Sequence, residues 1–288
     1  MLAEFKHTLR RMRGQIIGWS IGLGLYGLLM ALLFDSVSQI EGMEALIQSY
    51  PEEIFGFFGD LLAITTPQGY LDIYFFNYMT VIIGIFAVSA AAGLLAGDEE
   101  RGTLDLILAH PISRSALFWG RMAGYAVAMV IILGVGWLSW VIPAGSSGMG
   151  LTPIEFLRPF GPLLGQLLLF GMLALLLSMV MPSSRSAGMV AGGLLVANYL
   201  MVGLANINEN LKTIVDWTPL HFYQGGYAAD GLKWDWLGGL LAAAAVLALL
   251  GWWRFQRRDI RVGGEGGWQL PKLSLLQRDA ELKQSTVD

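Results

Sequence analysis

Three histidines, His7, His110 and His221, lie in three separate segments, and the chain has no cysteine. Disulfides and thiolate metal sites are therefore excluded, and no His-Glu-x-x-His pair is present to hold zinc. No serine is expected in the Gly-x-Ser-x-Gly elbow of a hydrolase. The five lysines are Lys6, Lys212, Lys233, Lys272 and Lys283. None follows the Gly-x-x-x-x-Gly pattern whose backbone N–H groups cradle a phosphate. No catalytic centre, metal or cofactor is expected in this chain. A net charge of −4 suggests no nucleic-acid partner.

The residues best suited to chemistry are suited to docking rather than to catalysis. They form one run: Asp98-Glu-Glu-Arg-Gly-Thr-Leu-Asp-Leu-Ile-Leu-Ala-His-Pro-Ile-Ser-Arg114. Thr103 can start a short helix with Leu104, Ile107 and Leu108 on one face. Pro111 stops it, and Ser113 can cap the helix that follows. Acidic residues precede this amphipathic helix and arginines follow it. A rigid lever that lays its leucines in an apolar groove of a soluble partner has this pattern. So does a tight solvated turn.

The elements around this run are membrane spans. The chain is 55% apolar and 14% charged, against about 25% charged in an ordinary soluble domain. Charges crowd between long uncharged stretches, as a bilayer requires. Six stretches without Asp, Glu, Lys or Arg are long enough, or nearly so, to cross as helices: 14–34, 73–96, 122–142, 161–181, 187–205 and 236–253. The expected fold is all-α and polytopic, with a six-span domain over 14–254. Asp72 falls at the outer edge of the second span. Asn77, Gln166 and Asn198 read as helix–helix hydrogen bonds or substrate contacts. Gly14, Gly18 and Gly22 share a face, as do Ser184, Gly188 and Gly192. Either stripe suits packing within one subunit or an interface between subunits.

Orientation follows from the basic residues. One side would hold Lys6, Arg10, Arg11, Arg13, Arg101, Arg114, Arg121, Arg185, Arg254, Arg257, Arg258 and Arg261; the other holds only Arg158, Lys212 and Lys233. Both termini are therefore expected in the cytoplasm, in agreement with the acidic first outer loop (Asp35, Glu41, Glu44, Glu52, Glu53 and Asp60). Residues 1–13 place Leu2, Phe5, Leu9 and Met12 on one helical face, which suits an amphipathic helix on the inner leaflet. A loosely helical basic cluster would fit as well. Residues 255–288 read as a cytoplasmic tail with a flexible Gly263–Gly267 linker.

The run Glu99 to Ser115, with Gly120-Arg after it, resembles the cytoplasmic loop of ABC-2 type transporter permeases. An acidic pair, Gly-Thr, a leucine-rich turn and Pro-Ile-Ser-Arg recur there. The six spans, the basic N-terminal helix, the cytoplasmic termini and Thr218-Pro-Leu-His-Phe-Tyr223 are also similar. The resemblance implies that the loop, residues 97–117, contains a coupling helix that docks on a nucleotide-binding subunit. The implied contact residues are Glu99, Glu100, Arg101, Gly102, Thr103, Leu104, Pro111, Ser113 and Arg114, joined by Ile107 and Leu108 of the same helix. It further implies a cell (inner) membrane location and two permeases, a second copy or a related chain, working with two ATPase subunits that carry ATP and Mg. The outer loop, 206–235, would form short re-entrant helices, although an ordinary interfacial loop also fits its aromatic residues.

The function expected is that of the permease subunit of an exporter driven by ATP hydrolysed on a separate polypeptide. A gradient-driven or passive transporter is the second reading; a membrane anchor or sensor recruiting an ATPase is the third. The sequence names no substrate.

Overall fold

The computed structural model describes residues 1–40, 47 and 61–258. Most of the acidic first outer loop and the Gly263–Gly267 linker lie outside the described residues. Among the described residues there are helices and turns but no strand, and six helices are long and apolar enough to cross a membrane.

These six are α1 (Leu2–Ser38), α2 (Pro67–Ala92), α5 (Arg114–Val141), α6 (Pro153–Ser178), α7 (Ser184–Ile207) and α8 (Trp234–Arg257). Two short helices, α3 (Ala96–Glu100) and α4 (Leu104–Leu108), lie between α2 and α5. Local chemistry sets the starts. Thr66 accepts from the Gly69 N–H ahead of Pro67, and Ser113 accepts from the Ala116 N–H. Thr152–Glu155 and Ser183–Ser186 form reciprocal capping boxes. Each prolines-first start uses a position whose N–H needs no helical partner.

Helices α2 and α6 are the most buried spans, and α1, α7 and α8 the least. Helix α6 packs against α2, α7 and α8, while α1 lies along α5. Large apolar side chains such as Ile17, Ile21 and Leu25 stay exposed on α1. Lipid tails are as apolar as these side chains, so burying them gains little.

Three expectations change. The sequence separates the helix 1–13 from the first span, but α1 runs unbroken through Gly14. One glycine costs only about 1 kcal/mol in a helix, too little to break it. At 37 residues α1 is about 55 Å long, well beyond the ~30 Å hydrocarbon core. Its first turns pack on α5, where Gly120 and Gly124 allow close approach. A Cβ at Gly120 would lie 2.7 Å from the Met1 carbonyl oxygen, and one at Gly124 would lie 2.8 Å from Thr8 Cβ.

Second, α2 starts at Pro67 rather than residue 73, so Asp72 lies inside the helix, in a π-helical turn. Third, Gln166 and Asn198 do not bond another span. The Gln166 amide donates to the Pro219 carbonyl at 2.5 Å, and Asn198 accepts from the Leu220 N–H at 3.1 Å. The turn Pro219–Phe222 thus reaches down between α6 and α7. Non-helical backbone at such depth needs protein partners, and these amides supply them. The Tyr223 hydroxyl adds a bond to the Phe76 carbonyl at 2.9 Å.

The glycine stripes separate. Gly188 and Gly192 face Ala92 and Val88 of α2, whereas a Cβ on Gly14, Gly18 or Gly22 would meet nothing within 4 Å.

Candidate functional site: a charged junction beneath a short helix

The acidic run after α2 folds into a helix–turn–helix held by its own backbone. Gly102 has φ +67° and ends α3. The Thr103 N–H bonds the Asp98 carbonyl at 2.9 Å and the Gly102 N–H bonds the Glu99 carbonyl at 3.0 Å. This is the Schellman arrangement, which requires a left-handed residue and so favours glycine. The Thr103 hydroxyl also bonds the Asp98 carbonyl, at 3.1 Å. The Gly-Thr pair therefore sets the angle between α3 and α4.

Asp98, Glu99 and Glu100 then reach different spans. Asp98 is buried and meets three arginines: Arg121 of α5 at 2.5 Å, Arg101 at 2.6 Å and Arg11 of α1 at 3.0 Å. Arg121 is 2% exposed and also contacts Glu4 of α1 at 3.3 Å and the Leu94 carbonyl at 2.6 Å. Glu99 is buried against Arg258, just beyond α8, which donates two hydrogen bonds to it at 2.7 and 2.8 Å. Glu100 accepts from the Ser184 N–H and, at 2.9 Å, from its hydroxyl, at the start of α7. A carboxylate there complements the positive end of the helix dipole. Arg114 donates to the carbonyls of Phe255, Gln256 and Arg258 at 3.2, 3.4 and 2.7 Å, a cation on the C-terminal end of α8.

Of the residues expected to face a partner, Glu99, Glu100 and Arg114 thus bond within the chain. Arg101 bonds Asp98 and the Gly97 carbonyl but stays exposed. Leu104 is 2% exposed in the chain's own core, with Ile107 and Leu108 half-buried against it. The amphipathic face of α4 therefore turns inward, because the chain's own spans offer the apolar surface. Leu106 is 67% exposed, and Ala109, His110 and Pro111 are exposed beside it. Ser113 is spent as a cap. The implied contact set left out Asp98, although the run begins with it, and the reading of single residues missed the roles of Arg121, Arg11, Glu4 and Arg258. Two signals were present: Glu4 is the one acid among the N-terminal bases, and Arg121 is a charge at the mouth of a span.

Gly18-Trp-Ser-Ile-Gly22 does have the spacing of a nucleophile elbow, contrary to expectation, but Ser20 sits mid-helix in α1 with no strand-to-helix turn. Among the described residues no group of three His, Asp or Glu side chains could hold a metal ion.

Six helices long and apolar enough to cross a membrane, four of them tied at one end to the segment 98–114, define a multi-pass membrane protein. The family model for ABC-2 family transporter proteins matches residues 21–260, and the chain belongs to that family. It is similar to the multidrug efflux system permease protein of Mycobacterium tuberculosis, at 27% identity over 273 residues, covering 91% of this chain and 46% of the relative. It is also similar to the probable ABC transporter permease protein NosY of Pseudomonas aeruginosa, at 27% identity over 114 residues, covering 40% of this chain and 42% of the relative. The matched stretches thus span under half the length of each relative.

Proposed function

We propose that this chain is the membrane subunit of an ATP-driven exporter in the cell (inner) membrane, with both termini cytoplasmic. ATP and Mg are held by a separate nucleotide-binding subunit, and a second copy or a related permease completes the pathway. One observation carries the reading: the segment 98–114 is bonded to α1, α5, α7 and α8 at once. Force applied to α4 has a rigid route into four spans. In this reading the ATPase docks on Leu106, Ala109, His110 and Pro111, its closure pushes α4, and the junction turns that push into an outward opening. Leu104, Ile107 and Leu108 hold α4 to the spans instead of meeting the partner. The efflux role named for the mycobacterial relative agrees with this direction of transport.

The test is purification from mild detergent with whatever binds, followed by ATPase assay with and without the partner. The chain alone is expected to hydrolyse no ATP, and the complex to hydrolyse it. Robust hydrolysis by the isolated polypeptide would end the divided-subunit reading.

A further inference from the structure

At the end opposite the junction, a cleft of about 220 Å³ lies between α2, α7 and the turns after α7. Its lining includes Asp72, Asn77, Tyr199, Asn206, Tyr223 and Tyr227. One oxygen of Asp72, Oδ1, accepts from the Gly226 N–H at 2.8 Å, and Gly225, at φ +57°, lets the turn press against it. Oδ2 makes no hydrogen bond or ion pair with a described residue. No Lys, Arg or His pairs with Asp72 among the described residues, and residues 41–60, which join α1 to this end, include no Lys, Arg or His. Asp72 also sits in a π-helical turn, a distortion often kept for function.

A half-buried carboxylate without a counter-charge is costly unless something else neutralises it. Tyrosine rings attract cations through their π faces, most strongly where water is excluded. Carboxylate and tyrosines together suit a compact organic cation, which presents charge to the acid and methyl or methylene groups to the rings. We propose that this cleft binds a small organic cation, a quaternary ammonium or protonated amine, with Asp72 as its counter-charge. The proposal names a substrate class for the exporter reading and rests on it for its place in transport. The binding itself needs neither ATP nor an ATPase.

The experiment uses the full chain in lipid nanodiscs and labelled benzyltrimethylammonium as probe. Saturable binding is expected for the wild type. Asp72→Asn keeps an oxygen for the Gly226 N–H but removes the charge, so a purely structural Asp72 would tolerate it. At least a tenfold loss of affinity is expected, whereas Asp216→Asn, at an exposed acid of the same end, leaves binding unchanged. Tyr199→Leu is expected to weaken binding severalfold, and it decides the matter should Asp72→Asn fail to fold. No saturable binding by the wild type, or wild-type affinity in either cleft variant, overturns the proposal. If cation binding depends on Asp72 but vesicles show no ATP-driven export, the exporter reading falls and the site stands. If export runs while the wild type binds no cation, the site alone falls.

Discussion

Arg121 meets Asp98 at 2.5 Å in a place where the arginine is only 2% exposed. The pair joins α5 to the start of α3, and Glu4 brings in α1. Removing one member of a buried ion pair strands the other, at about 3–5 kcal/mol. Arg121→Met is therefore expected to lower thermal stability sharply, measured by loss of the monodisperse peak on size-exclusion chromatography after heating. Because Arg121 is shared between Asp98 and Glu4, the double variant Arg121→Met, Asp98→Asn should recover part of the loss. A fully additive double variant would show that the two residues are not coupled.

The two leucines of α4 should behave in opposite ways. Leu104→Asp puts a charge into the core and is expected to destabilise the isolated chain by several kcal/mol. Leu106→Asp changes an exposed side chain, so the chain should insert and elute normally while losing its ATPase. Truncating a central apolar anchor of an interface costs about 2 kcal/mol or more, roughly a thirtyfold weaker complex. Co-purification measured beside thermal stability separates the two. Wild-type ATPase recovery with Leu106→Asp would remove α4 as the docking surface.

Glu100→Ala should act between these extremes. It removes the acceptor for the Ser184 N–H and hydroxyl at the start of α7. Such caps are worth about 1 kcal/mol. The complex should assemble with milder loss, and transport per ATP hydrolysed should fall because α7 is no longer tied to α3. Unchanged coupling in vesicles would show that α7 does not receive force through Glu100.

Gly226→Ala tests how the turns after α7 pack on α2. An added Cβ would lie 2.7 Å from the Gln68 carbonyl oxygen and 2.8 Å from Asp72 Cα. These are backbone atoms of α2, with no flexible side-chain end to yield, so a cost of about 1–3 kcal/mol is expected. Cation binding at Asp72 should weaken in step. Thermal unfolding with wild-type stability would mean that the turn sits elsewhere in the membrane.

Topology is checked without background labelling, since the chain has no cysteine. Single cysteines in place of Ala45 and Asp230 should react with an impermeant thiol reagent from outside intact cells. Those replacing Asp105 and Glu265 should react only after the membrane is opened. Labelling of position 105 from outside would reverse the orientation.

Six helices could be read from the sequence because lipid forces them: a segment that crosses it must bond its own backbone, as a helix does, and charged side chains are costly at its centre. Thr103, Pro111 and Ser113 likewise marked the start and stop of α4 and the cap of α5, since such signals depend on neighbours in the chain. The destinations of the charged side chains could not be read. That Glu99 finds Arg258, Glu100 finds Ser184 and Gln166 finds Pro219 depends on which spans become neighbours. The apolar stripe of α4 carried its period but not its direction. Leu104 turned inward and Leu106 outward because the packed ends of the spans supply a drier surface than water, and only the tertiary structure sets where that surface lies.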